Sequence, residues 1–272
     1  MNASFLRVLA SPAPSALTVD AVADALAARG GQTLLAHVDF DMDCAVWDAS
    51  VNGIAEAAVG AAAALRADGE ARVYFFDLSS AEERLEEQAL CAKLGEALDS
   101  SVYSARRNVP ASQWVAERPF VLRVDGFAIA RTDAAHRRPG ARNRGVVVEF
   151  GAPTIWLKAS LHGVAPERLS RICDATGGPR GGLLHIGVYP GISARSGAPF
   201  LLIECSDVAK SPLTRALEIV DIEAARYGGS VGETVLLSHI PLDALLGTLA
   251  ARMPLPATPS QVIETHITRP ER

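Results

Sequence analysis

After Gly145 the apolar runs fall into an order that few folds satisfy. Thr154 to His162 reads as a strand, and Ala165 to Thr176 as a helix ended by Gly177-Gly178. Leu183 to Tyr189 and Pro199 to Ser206 read as strands. Ser211-Pro212 opens a helix to Tyr227, and Ser230 to His239 is a further strand. Strand–helix–strand–strand–helix–strand is the split-βαβ, ferredoxin-like pattern, here over about 150–255. Val146 to Phe150 reads as a strand before it, and Leu242 to Met253 as a helix after it.

The first hundred residues give a less clear alternation. Strands are expected at Phe5–Ala10, Thr33–Val38, Val73–Phe76 and Ser101–Ser104. Helices are expected over 18–29, capped by Thr18, over 53–66, and from Ser79 or Ser80 to Leu98. Asp39 to Asp43 reads as an acidic turn. Nine arginines fall between 105 and 144, which reads as a basic connector with a hairpin at Asp125-Gly126. The expected fold class is α/β (α+β): two ferredoxin-like subdomains, helices packed on small sheets, with a ligand cleft between them. The expected boundaries are 1–144, 145–253 and a proline-containing tail, 254–272.

The 272 residues are enough for two small cores without metal or disulfide staples. No run approaches the 18 apolar residues of a spanning helix, so no membrane role is expected. A formal charge of −5 argues against nucleic-acid binding through bulk charge. Cys91, Cys173 and Cys205 sit in apolar runs and read as core residues, and no cysteine pair has metal-site spacing. The N-terminus lacks the charge pattern of a secretory signal, which leaves a cytoplasmic location as the expectation.

No phosphate-loop, dinucleotide, nucleophile-elbow or zinc-protease pattern is present. Alternation in Trp156 to His162 puts Lys158, Ser160 and His162 on one face of their strand. One sheet face of a ferredoxin-like sandwich packs on helices and the other is free, so this polar face reads as a cleft lining. Glu204 interrupts an apolar strand and joins that face, with Lys158 as its expected partner. Asp39, Asp41 and Asp43 read either as a solvated turn or as ligands for a hard cation or an ammonium group. Arg131, Arg142 and Arg144 belong to a basic loop that either holds an anion or is simply solvated.

The residues from 206 to 246 carry a resemblance. Ser206-Asp207-Val208-Ala209-Lys210-Ser211-Pro212-Leu213, the helix IVDIEAARYG from Ile219 to Gly228, and GETVLLSHIPLDALL from Gly232 to Leu246 resemble the formiminotransferase family. PTIWLKASLHGV, from Pro153, is similar to the strand that reads FLIAYNVNL in that family. DFDMDCAVWDASVNG, from Asp39, and Arg106-Arg107-Asn108-Val109 extend the likeness more thinly through the first half. The resemblance implies two α/β subdomains with a ligand tunnel, a homodimer, and transfer of a formimino group between glutamate and tetrahydrofolate. Tetrahydrofolate or a related pterin is thus the expected cofactor, with no metal.

The chain departs from the family where chemistry is expected. The family's histidine segment, H-P-R-x-G-A-x-D, has no counterpart between Arg66 and Arg72. The H-N-R triplet is Cys44-Ala45-Val46, and the paired asparagines of the cleft strand give way to Lys158, Ser160 or His162. Two expectations follow. One is a one-carbon (formimino or formyl) transferase of altered chemistry, with His162 as the acid–base group. Lys158, Ser160, Glu204, Asp41, Asp43, Arg131, Arg142 and Arg144 would then bind an anionic substrate. The other is a non-catalytic family member that acts as a binding, regulatory or complex subunit. Ordinary glutamate formiminotransferase activity is not expected.

Overall fold

A computed structural model describes residues 4–246 except 12, 29–30, 69–71, 78–86, 99–101, 107–119, 125–126, 132, 137–145, 151–154, 178–181, 194 and 243. The protein is an α+β fold that divides into two compact units, with the seam between Phe150 and Ile155.

The first unit opens with β1 (Ser4–Ser11), α1 (Ala16–Ala27), β2 (Gln32–Asp39), β3 (Cys44–Val51), α2 (Ile54–Asp68) and β4 (Arg72–Asp77). These strands lie in the order β2-β3-β1-β4, all antiparallel. That is a complete ferredoxin-like βαββαβ module. It continues through α3 (Glu87–Leu98), β5 (Val102–Arg106), β6 (Phe120–Val124), β7 (Phe127–Arg131), β8 (Asp133–His136) and β9 (Val146–Phe150). Strand β9 inserts between β4 and β5, parallel to both, and β8 closes the seven-stranded sheet beside β5. The expected boundary before Gly145 is therefore displaced, because β9 belongs to the first sheet. Strands β6 and β7 pair separately on either side of Asp125-Gly126, as the hairpin expectation had it.

Local chemistry explains these elements. In α1, Thr18, Val22 and Leu26 recur at helical spacing and are buried. The cap is Ser15, whose Oγ accepts from the Thr18 N–H, and not Thr18 itself. In α2, small residues (Ala55, Ala57, Ala58, Ala61, Ala62) face the core between Ile54 and Leu65. Strand β3 was not expected. Its apolar residues lie on both faces, so it lacks the alternation that marks a half-exposed strand.

The second unit runs β10 (Ile155–His162), a 3₁₀ turn at Pro166–Arg168, α4 (Leu169–Thr176), β11 (Ile186–Ile192), β12 (Pro199–Cys205), α5 (Leu213–Arg226) and β13 (Ser230–Leu236). The sheet order is β11-β12-β10-β13, again all antiparallel. The βαββαβ pattern read from the sequence is present in full. Helix α4 buries Leu169, Ile172, Cys173 and Thr176, and α5 buries Leu213, Ala216, Leu217, Val220 and Ala224. They pack on Ile155, Leu157, Ala159, Leu161, Leu201 and Ile203 from one sheet face. Gly228, at φ +79, ends α5 in a left-handed turn that an L side chain adopts only with strain.

Candidate functional site

The other face of the second sheet carries the polar residues. In β10 it presents Trp156, Lys158, Ser160 and His162, in β12 Phe200, Leu202 and Glu204, and in β11 Gly187, Tyr189 and Gly191. This face is buried, not open as expected: Trp156, Lys158, Tyr189 and Glu204 are each under 7% exposed. A carboxylate in such a place needs hydrogen bonds to offset its desolvation. Trp156 stands directly opposite Glu204, and its Nε1–H donates to Oε1 at 2.9 Å. The Tyr189 hydroxyl donates to Oε2 at 3.5 Å. Tyr189 reaches it because Gly187, opposite Glu204, has no side chain; a Cβ there would lie 2.9 Å from the phenol oxygen. The Trp156 backbone is fixed in turn by Ser238, whose Oγ accepts the Trp156 N–H at 2.9 Å and donates to the His239 carbonyl.

Lys158 shares this face and lies diagonally from Glu204, since it pairs with Leu202, two residues away. His162 does not join them. It is exposed at the end of β10, against Gly232 of β13, where a Cβ would strike the imidazole. At about 3.3 Å per residue, His162 lies roughly 20 Å along the strand from Trp156 and about 13 Å from Lys158. Ser160, half-buried, lies between them.

The acidic turn of the first unit is a structural device. Asp39 Oδ1 accepts the N–H groups of Asp41 and Met42, the usual Asx-turn role. Asp43 has φ 48, and its Oδ1 accepts the Ala13 N–H. Asp41 and Asp43 thus sit at the β2–β3 turn, and no cluster of three potential metal ligands exists among the described residues. Arg131 ends β7, while Arg142 and Arg144 lie outside the described residues.

The sequence reading missed the pair Arg7–Asp48. Arg7 Nε and Nη2 donate to both Asp48 oxygens at 2.6 and 2.9 Å, with both residues almost fully buried. Each is the single charge of its strand, which is the signal that drew attention to Glu204. Burial pushes the Cys173 and Cys205 thiols up to about 12, so both stay protonated and inert at neutral pH, in line with their core role. At Asp207, before α5, burial works to raise the carboxyl. The hydrogen bonds and charge of Lys210, with His185, nevertheless hold it below its ordinary value.

No family model matches the chain, and no curated protein matches it. A crystal structure of an unknown protein from Galdieria sulphuraria is similar over 86% of this chain and 96% of that chain, at 9% identity and a TM-score of 0.32. A score that low carries no argument about fold or function.

Proposed function

We propose that the protein is a divergent formiminotransferase-like protein that binds an anionic small molecule, with the buried polar group of its second sheet forming part of the site. The ligand class is a folate- or pterin-like or other glutamate-bearing molecule, with tetrahydrofolate as the first candidate. The observation that carries this reading is the buried polar group on the helix-free face of the second sheet. Lys158 and Glu204 share it, and Glu204 accepts hydrogen bonds from Trp156 and Tyr189. Two βαββαβ modules also fit the two subdomains that the resemblance implies.

The same geometry favours binding over group transfer. A general acid–base must lie within hydrogen-bond reach of the reacting atoms. His162 is too far along β10 to serve a ligand seated at Lys158 and Glu204. A non-catalytic binding protein is therefore preferred to a one-carbon transferase; the homodimer that the resemblance implies and a cytoplasmic location belong to the same proposal. No helix among the described residues is long and apolar enough to cross a membrane.

Calorimetric titration with tetrahydrofolate and with formiminoglutamate tests this reading. Binding should fall at least about tenfold in Lys158→Met, the loss of one charged contact, and stay unchanged in His162→Ala. No binding at millimolar ligand would sink the ligand class. Formimino transfer that disappears in His162→Ala would reverse the preference for binding.

A further inference from the structure

The helical side of the first unit carries a groove that the reading above does not use. Helices α1, α2 and α3 line an open space of about 690 Å³, within the range of small-molecule sites, roughly 300–1,000 Å³. Ala25, Val59, Gly60 and Ala97 bring short side chains to it from all three helices, and Glu56, Lys93 and Glu96 bring charge.

Gly60 is the residue that packing does not explain. It lies inside α2, where a glycine weakens the helix relative to alanine, and the rest of that helix is rich in alanine. A Cβ at Gly60 would meet the Ala25 Cβ at 3.5 Å and the Ala25 carbonyl oxygen at 3.6 Å, both ordinary contacts. The contact between α1 and α2 therefore tolerates alanine here. What the glycine keeps is open space in the groove.

The charges are unequal. Lys93 Nζ donates to Glu56 Oε1 at 2.8 Å, which ties α3 to α2 and engages that ammonium. Glu96, three residues after Lys93 in α3, is exposed, and its carboxylate has no ion pair. Two carboxylates thus meet one ammonium, and one carboxylate is left uncompensated. An anionic ligand would find only a lysine already engaged. We propose that this groove binds a small organic amine, with its ammonium at Glu96 and its apolar body against Ala25, Val59, Gly60 and Ala97. An exposed ion pair contributes little alone, so the apolar body supplies much of the affinity.

The test uses the full chain and three six-carbon probes that differ in charge: hexylamine, hexanol and hexanoate. The Ala25 and Ala97 methyl resonances are followed by NMR during titration, with the buried Ala159 methyl of the second unit as control. Saturable shifts at Ala25 and Ala97 should be tightest with hexylamine and absent with hexanoate. Glu96→Gln should weaken hexylamine about threefold and bring it level with hexanol. Gly60→Leu fills the groove and should weaken hexylamine and hexanol alike. Gly60→Ala should raise the thermal midpoint, because the helix gains and the packing does not object. No saturable shift at millimolar hexylamine, or equal binding of hexylamine and hexanoate, overturns the amine site. A lower midpoint in Gly60→Ala shows that packing needs the glycine and overturns its role in keeping the space. Should Gly60→Leu fail to fold, Glu96→Gln decides: unchanged hexylamine binding in that variant overturns the site.

Discussion

The two modules share one strand order and differ in what they place on the helix-free face of their central pair. In the first, Arg7 and Asp48 face each other and satisfy each other. In the second, the equivalent strands set Trp156 opposite Glu204, so a neutral indole replaces the guanidinium. In both modules the buried acid accepts two hydrogen bonds, from one arginine in the first and from Trp156 and Tyr189 in the second. The same strand position thus holds a buried acid against an arginine in one module and against a tryptophan in the other.

The difference can be broken from both sides. Asp48→Leu, which removes both acceptors of the bidentate Arg7 contact, should cost about 3–5 kcal/mol, read by urea unfolding. Trp156→Phe removes a hydrogen bond to a buried carboxylate and should cost about 2 kcal/mol in the same assay. Equal costs would mean that the two pairs are energetically alike and that the contrast is only chemical appearance. A smaller effect lies at Asp207. Its folded value is depressed, so its contribution is present above the unfolded carboxyl range and lost as pH falls through the folded value. Lys210→Met should therefore reduce the loss of stability on acidification, measured as midpoint against pH. An unchanged acid limb would remove Lys210 as the cause. The pair is partly exposed, and added salt should weaken the effect.

The second module was legible in the sequence because β10 alternates, β12 is a short apolar run, and the two helices are followed by Gly177 and Gly228. Glu204 was legible because a charge in an apolar strand demands a partner, and Trp156 and Tyr189 both donate to it. Register decides that, and a single sequence does not state which residue of β10 stands opposite Glu204. Strand β3 was hidden by its two-sided burial and by the acidic turn before it, and Asp48 was hidden with it. His162 shares a face with Lys158, as alternation requires, but alternation is silent about distance along the strand. Burial of that face is a tertiary property that no local pattern encodes.

Tryptophan supplies the most direct test of the ligand face. The chain has three tryptophans. Trp156 donates its indole N–H to Glu204, whereas Trp47 of the first module donates to the Val19 carbonyl. Indole ¹H–¹⁵N resonances, assigned with Trp156→Phe and Trp47→Phe, would be followed during titration with tetrahydrofolate. A saturable shift of the Trp156 resonance is expected while Trp47 stays in place. A Trp156 resonance that is unmoved at millimolar ligand, or a shift confined to Trp47, would contradict it.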